Sequence, residues 1–245
     1  MTIPTATLSH LHRADGSATY SQGGYTVVAG VNGPVEVQRR DELPEEAAIE
    51  VNVRPAVGVG SPKERQLESI IHSTLRHVVL TRNHPRTLIQ VTLQVVSTPE
   101  DESLLRSTHS LSILPSLLQA SILALLSASI PLSATFNAAL ISLSPSGSLS
   151  LNPPSKALAD ASSVHVFAFS SHGDLVVSES SGCFSVSDWE RAHDEARKVC
   201  IHGPETETDG AMEVEGEGAQ TNLQSFVEKV VAERVEKERY WKDST

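Results

Sequence analysis

Cysteine is scarce in this chain of 245 residues. Cys183 and Cys200 form no metal-ligand pattern and lack the density of a disulfide-stapled secreted scaffold, so a reducing compartment is expected. Basic residues are also outnumbered: 19 Lys and Arg face 30 Asp and Glu, and the formal charge of −11 argues against a free-standing basic nucleic-acid binder. Much of the excess is local, because Glu205, Glu207, Asp209, Glu213, Glu215 and Glu217 run without a basic residue between them. The first residues hold no apolar segment of the secretory kind, which leaves cytosol or nucleus as the expectation.

Chemical signatures are mostly incomplete. His10 and His12 have the spacing of two ligands but no third within sequence reach, so they read as exposed polar residues. Ser180-Ser181-Gly182-Cys183 lacks the G-x-S-x-G elbow of a nucleophile, and Cys183 beside Phe184 reads as a small buried hydrophobe. Gly58-Val59-Gly60 is a dinucleotide fingerprint without its third glycine. Tyr240 and Trp241 suit either a partner or the chain's own helices.

What the chain does have is one long apolar run, Leu104 to Pro131. Leu111, Leu114, Leu117, Leu118, Ile122, Leu125 and Ile130 recur at helical spacing on more than one face, which predicts a helix buried on most sides. The interspersed Ser112, Ser116, Gln119, Ser121 and Ser127, with a mean hydropathy of −0.12 overall, argue against a membrane span. Pro115 places the helix start, or a kink, near itself.

Residues 1 to 9 read as frayed and 13 to 17 as a turn. Strands are expected at Tyr25–Val31, Val35–Arg39 and Ala48–Arg54 as a meander, with Arg39–Glu46 a solvated hairpin connection. A helix starts at Ser61 or Pro62 and runs to about Leu80. Leu88–Ser97 is a strand, Phe136–Leu143 a buried strand with its hairpin partner at Ser148–Leu151, and Val164–Phe169 and Leu175–Ser180 form a second hairpin. A helix from Ser187 takes Asp188 as its cap. Residues 203–222 read as an acidic flexible insertion before a terminal helix at 223–243. This mixture of strands and helices reads as one α/β (α+β) body, helices packed on a largely antiparallel or mixed sheet.

Particular residues carry a resemblance. Arg13-Ala14-Asp15-Gly16-Ser17, Val27 to Pro34, Glu50 to Pro55, His84-Pro85-Arg86-Thr87, Leu93 to Ser97 and Asn152-Pro153-Pro154-Ser155-Lys156 resemble, in register, the RNase PH-like proteins, and look specifically like a ring subunit of the eukaryotic RNA exosome. The resemblance covers about residues 8 to 202 and implies a single RNase PH-like domain, related to the ribosomal protein S5 domain 2-like fold. It implies a hexameric ring of RNase PH-like subunits capped by S1/KH subunits, with single-stranded RNA threading toward a separate nuclease, in nucleus, nucleolus and cytoplasm.

Active relatives cut RNA from its 3′ end with phosphate as the attacking group, which needs cations for the anion and carboxylates for a metal or proton. At the matching positions this chain has Ser69 and Ser73 for two helix arginines. It has Asp101-Glu102-Ser103-Leu104-Leu105 for the phosphate-gripping loop, and Asn152 and Ser163 for two aspartates. Asp160 alone remains, and one carboxylate holds a metal poorly. The resemblance therefore implies no catalytic residues, no metal and no cofactor. Lys63 and Arg65, beside the Gly58–Lys63 joint, are the candidates for RNA-path contacts. Ring assembly further predicts an edge strand and apolar patches exposed on the isolated chain. The alternatives are a phosphorolytic or metal-assisted exoribonuclease acting as a homodimer, and a nucleic-acid-binding module without catalysis.

Overall fold

The computed structural model describes residues 4–40, 42–99, 111–201 and 222–243, with side chains of the last helix described through Arg239. Two sheets sandwich a layer of helices. The first sheet holds β1 (Thr5–Leu8), β2 (Gly16–Gln22), β3 (Tyr25–Glu36), β4 (Ala48–Arg54) and β5 (Thr87–Ser97) in the order β1-β2-β3-β5-β4. The second holds β6 (Phe136–Leu143), β7 (Leu149–Leu151), β8 (Ser163–Ser170) and β9 (Leu175–Gly182) in the order β7-β6-β8-β9.

Between the sheets lies α2 (Leu114–Ser127), packed on β2 and β3 on one side and on β6 on the other. That double contact is why its apolar residues occupy more than one face. Pro115 sits in the first turn, where its missing N–H costs nothing. Of the buried polar groups, Ser121 Oγ donates to Leu117 O (2.7 Å) and Gln119 Nε2 donates to Asn137 Oδ1 (3.2 Å). Leu104 and Leu105, assigned to the same run, fall outside the described residues. No helix among the described residues is long and apolar enough to cross a membrane.

α1 (Pro62–Val78) packs on β4 and buries Leu67, Ile71, Thr74, Leu75 and Val78. Ser61 caps it, accepting from Lys63 N while Glu64 reaches back to the Ser61 N–H, a reciprocal capping box. β6 is buried along its whole length because its two faces meet different helices. Ala138 and Leu140 join the α2 core, and Ala139 and Ile141 join a second core with Phe167, Phe169, Ala192, Ala196 and Cys200 under α4 (Val186–Ile201). α3 (Ser155–Ala159) is a single short helix, and α5 (Leu223–Asp243) buries Leu223 and Val227 and sets Phe226 edge-on against Tyr20.

Several expectations are corrected. The first three strands are not a meander: β4 is parallel to β5, reached through α1, so residues 39–46 are no hairpin connection. β3 runs on through Asn32-Gly33-Pro34 with a register irregularity, where a break was expected. β1 and β2 occupy stretches read as frayed end and turn. Their small polar residues show no apolar alternation, yet Gly16, Ser17 and Ala18 are buried. Ser185, not Asp188, caps α4: its Oγ accepts from Asp188 N (3.2 Å), while the Asp188 carboxylate accepts from Ser185 N (3.3 Å). Cys183 is exposed just past β9 at the edge of a sheet; Cys200 is the buried thiol, pushed up to about 12 by burial. The acidic insertion lies largely in residues 202–221, outside those described.

Candidate functional site

At the N-terminal end of α2 a cleft of about 30 Å³ opens between the β2–β3 turn, the first turn of α2 and the corner after β7. Gln22, Tyr25, Ser112, Ser116, Asn152 and Ser155 supply its polar lining, and Leu140, Pro153 and Leu158 its apolar side. Asn152 is carried into the cleft on a left-handed backbone (φ 45°), a conformation its short polar side chain tolerates, with its N–H donated to Leu140 O (2.8 Å). Tyr25 Oη and Ser112 Oγ, both in the lining, share a buried 2.9 Å hydrogen bond. Among the described lining residues there is no carboxylate and no cation.

Ser163, at the second expected carboxylate position, is fully buried and turned into a neutral network. Its Oγ shares a 2.9 Å hydrogen bond with His165 Nε2, and His165 Nδ1 shares one of 2.8 Å with Ser180 Oγ. His165 is 0% exposed, stacked on Phe167 and met edge-on by Phe184 at 4.7 Å. Burial holds its pKa below the ordinary value, with the Asp188 charge pulling weakly the other way. Asp160 is an exposed residue at the end of α3. Among the described residues no three His, Cys, Asp or Glu side chains gather to hold a metal. The amide of Asn152 and the buried hydroxyl of Ser163, at the two positions where the resemblance expects carboxylates, do not fit a divalent cation.

A depressed histidine pKa fixes the sign of a pH effect. Above about pH 6.5 His165 is neutral whether the chain is folded or not. Between 6.5 and its lower folded value only the unfolded chain takes the proton, so stability declines as the solution is acidified through that window. The melting temperature is expected to drop more from pH 7.5 to 5.5 in the wild type than in His165→Gln. Asp188 also has a lowered pKa, from its Ser185 hydrogen bonds, but it titrates below that range. Equal drops in the two proteins would contradict the assignment.

Ser69 and Ser73, at the positions where the resemblance expects arginines, lie exposed on α1. The flanking cations are engaged. Arg76 pairs with Glu46 at 2.9 Å, and Arg65 pairs with Glu68 at 3.2 Å. Glu68 in turn accepts the Val53 N–H (2.9 Å) on the outer edge of β4, a contact with no local sequence signal. Lys63 and Arg65 both sit in the first turn of α1, directly after the loop that carries Val57 and Val59, which are 89% and 93% exposed. Neither lines the cleft. The Asp101–Leu105 position falls outside the described residues. His10 and His12 are exposed in the β1–β2 connection.

The Arg13–Ser17 motif is architectural. Asp15 Oδ2 accepts the Gly33 N–H (2.8 Å), Gly16 lies against α2, and Ser17 Oγ accepts the Leu11 N–H (2.9 Å). Tyr25, Ser112 and Gln22 were not legible as cleft residues, because β2, β3 and α2 meet only in the fold. The Ser163/His165 pairing did have a signal, since residues two apart on a strand share a face.

Comparison with known proteins agrees with this architecture. The 3′ exoribonuclease family, domain 1, matches residues 4–131. "Exosome complex component RRP46" of Saccharomyces cerevisiae is 32% identical over 164 residues, covering 66% of this chain and 72% of that protein. "Exosome complex component rrp46" of Schizosaccharomyces pombe is 42% identical over 86 residues, 35% of this chain and 38% of the relative's length. The crystal structure of rice (Oryza sativa) Rrp46 superposes with a TM-score of 0.71 at 29% identity, covering 79% of this chain and 87% of that one. With two sheets about a buried helix, the family's motifs in order and a family match across more than half its length, this chain belongs to the 3′ exoribonuclease (RNase PH) family.

Proposed function

We propose that this chain is a non-catalytic structural subunit of the hexameric RNase PH-like ring of the RNA exosome core, supporting 3′–5′ RNA processing and degradation by a separate nuclease. The observation that carries the reading is the neutral cleft: its described lining, which includes Asn152, offers no charge to a phosphate or a metal, and Asn152 and the buried Ser163 stand where the resemblance expects carboxylates. Charge-stabilising groups of this kind are worth several kcal/mol each in a transition state, and losing them together removes the reaction. The motif variants resemble the ring subunit called exosome component five and the relatives bear the name Rrp46, so the chain takes the Rrp46 position. Its partners are then the other RNase PH-like subunits and the S1/KH cap, with single-stranded RNA threading the ring, in nucleus and cytoplasm. The single domain is interrupted by an acidic insertion at 203–222.

Labelled single-stranded RNA incubated with the purified chain and either phosphate or Mg²⁺ is expected to stay intact; shortening in either buffer overturns the reading. In the assembled ring, Lys63 and Arg65 are the RNA-path cations. Changing both to alanine is expected to weaken RNA binding and flatten the salt dependence of log K by about 1.4, two backbone contacts' worth for a single strand. An unchanged slope removes them from the path.

A further inference from the structure

We propose that Ser144 is a phosphorylation site for a proline-directed protein kinase, and that the phosphate is received by Arg191 of α4. The acceptor lies in the turn between β6 and β7, Ser144-Pro145-Ser146-Gly147-Ser148. Gly147 N donates to Ser144 O and Ser144 N donates to Ser148 O, both at 2.9 Å. The hydroxyls of Ser144, Ser146 and Ser148 hydrogen-bond along the turn at 3.1 and 3.2 Å, and the Ser146 N–H points at Ser144 Oγ (3.4 Å). Pro145 directly follows Ser144, the dipeptide such kinases read. β7 is an edge strand paired over three residues only, so the hairpin opens at little cost to present an extended segment.

The cation is already in place. Arg191 reaches across from α4 to donate Nη2 to Gly147 O at 3.3 Å, while its ion pair with Asp188 is long, at 3.5 Å. It stands at a groove of about 410 Å³ between β7 and α4, whose apolar side is Ile141, Leu149 and Leu151 and whose polar side adds Asp194, Glu195 and Lys198. Glu195 is occupied by Lys198 (3.4 Å) and Asp194 by His193 (3.1 Å). In the transfer, Ser144 Oγ forms a bond to the γ-phosphorus of a nucleoside triphosphate. The bond to the bridging oxygen breaks, the nucleoside diphosphate leaves, and the hydroxyl proton passes to the kinase's carboxylate. The product carries about −1.5 to −2 charges beside a guanidinium with unused donors and the Ser146 N–H and hydroxyl. Arg191 leaves Asp188 for the stronger anion and pins the hairpin across one end of the groove.

The test uses the full, folded chain with a proline-directed kinase and ATP, read by peptide mapping and by amide exchange over residues 144–151. One phosphate is expected on Ser144, absent in both Ser144→Ala and Pro145→Ala. Exchange in the hairpin should slow about tenfold on phosphorylation, the effect of one charge-assisted hydrogen bond. Arg191→Ala should keep the incorporation and lose the slowing. Incorporation only after denaturation, or at another serine, overturns the site; slowing that persists in Arg191→Ala overturns the receptor.

Discussion

Replacing Gly16 with valine is expected to destabilise the fold by about 3 kcal/mol or more and to leave little soluble protein. A Cβ at this position would stand 2.3 Å from Ala128 N, 2.5 Å from Ala128 Cβ and 2.6 Å from Ala124 O. Two of these atoms are backbone of the last turn of α2 and its cap, and α2 is held between two sheets, so the helix has nowhere to retreat. Gly16 is also paired to Val31 of β3, in a strand held between β1 and β3, which prevents β2 from yielding instead. Gly16→Ala places the same atom and should be damaging too. Gly60→Ala, where nothing lies within 4 Å, is the control and should stay within about 0.5 kcal/mol of wild type. Urea unfolding of the three proteins decides it, and a Gly16→Ala midpoint equal to that of Gly60→Ala would refute the packing argument.

The combined substitution Phe184→Asp and Val186→Asp is expected to reduce association with other RNase PH-like ring subunits by about 100-fold, the loss of one interface hot spot. Among the described strands, the free edges differ in what they offer. On β4 the Val53 N–H is already taken by Glu68. β1 has four residues and packs beside α5, and β7 has three. β9 has eight, and large apolar residues are exposed at both its ends: Leu175 at 40%, then Phe184 at 42% and Val186 at 74%. An edge strand flanked by apolar side chains invites strand addition or docking by another chain. Native mass spectrometry of the reconstituted ring measures the effect, with circular dichroism checking that the subunit still folds. Full incorporation of the folded double variant would rule out β9 as a ring contact. Phe184 also touches His165, so Val186→Asp alone, whose side chain is far more exposed, separates assembly from packing.

Local signals carried much of this fold. Ser61, Pro62 and Glu64 announce the start of α1 because a cap depends on three neighbouring residues and little else. The apolar pattern of β6 and α2 announces burial on every side, since only elements covered twice can dispense with a polar face. That Asn152 and Ser163 are neutral was likewise visible in the residue types themselves. Their setting was not. That Ser163 joins His165 and Ser180 in a buried neutral network depends on β8 pairing with β9, and that Tyr25 meets Ser112 depends on two segments 87 positions apart.

What the sequence determined by itself was the inventory: helices with their caps, strands with strong alternation, and neutral residue types at Asn152 and Ser163. Tertiary structure alone decided that β4 runs parallel to β5, that the small residues of β2 are buried against α2, and that Arg65 holds a carboxylate which closes the β4 edge. The reason is range. Capping and periodicity act within a few residues, whereas strand order and close approach are set by where the largest apolar surface is buried, and that is a property of the whole chain.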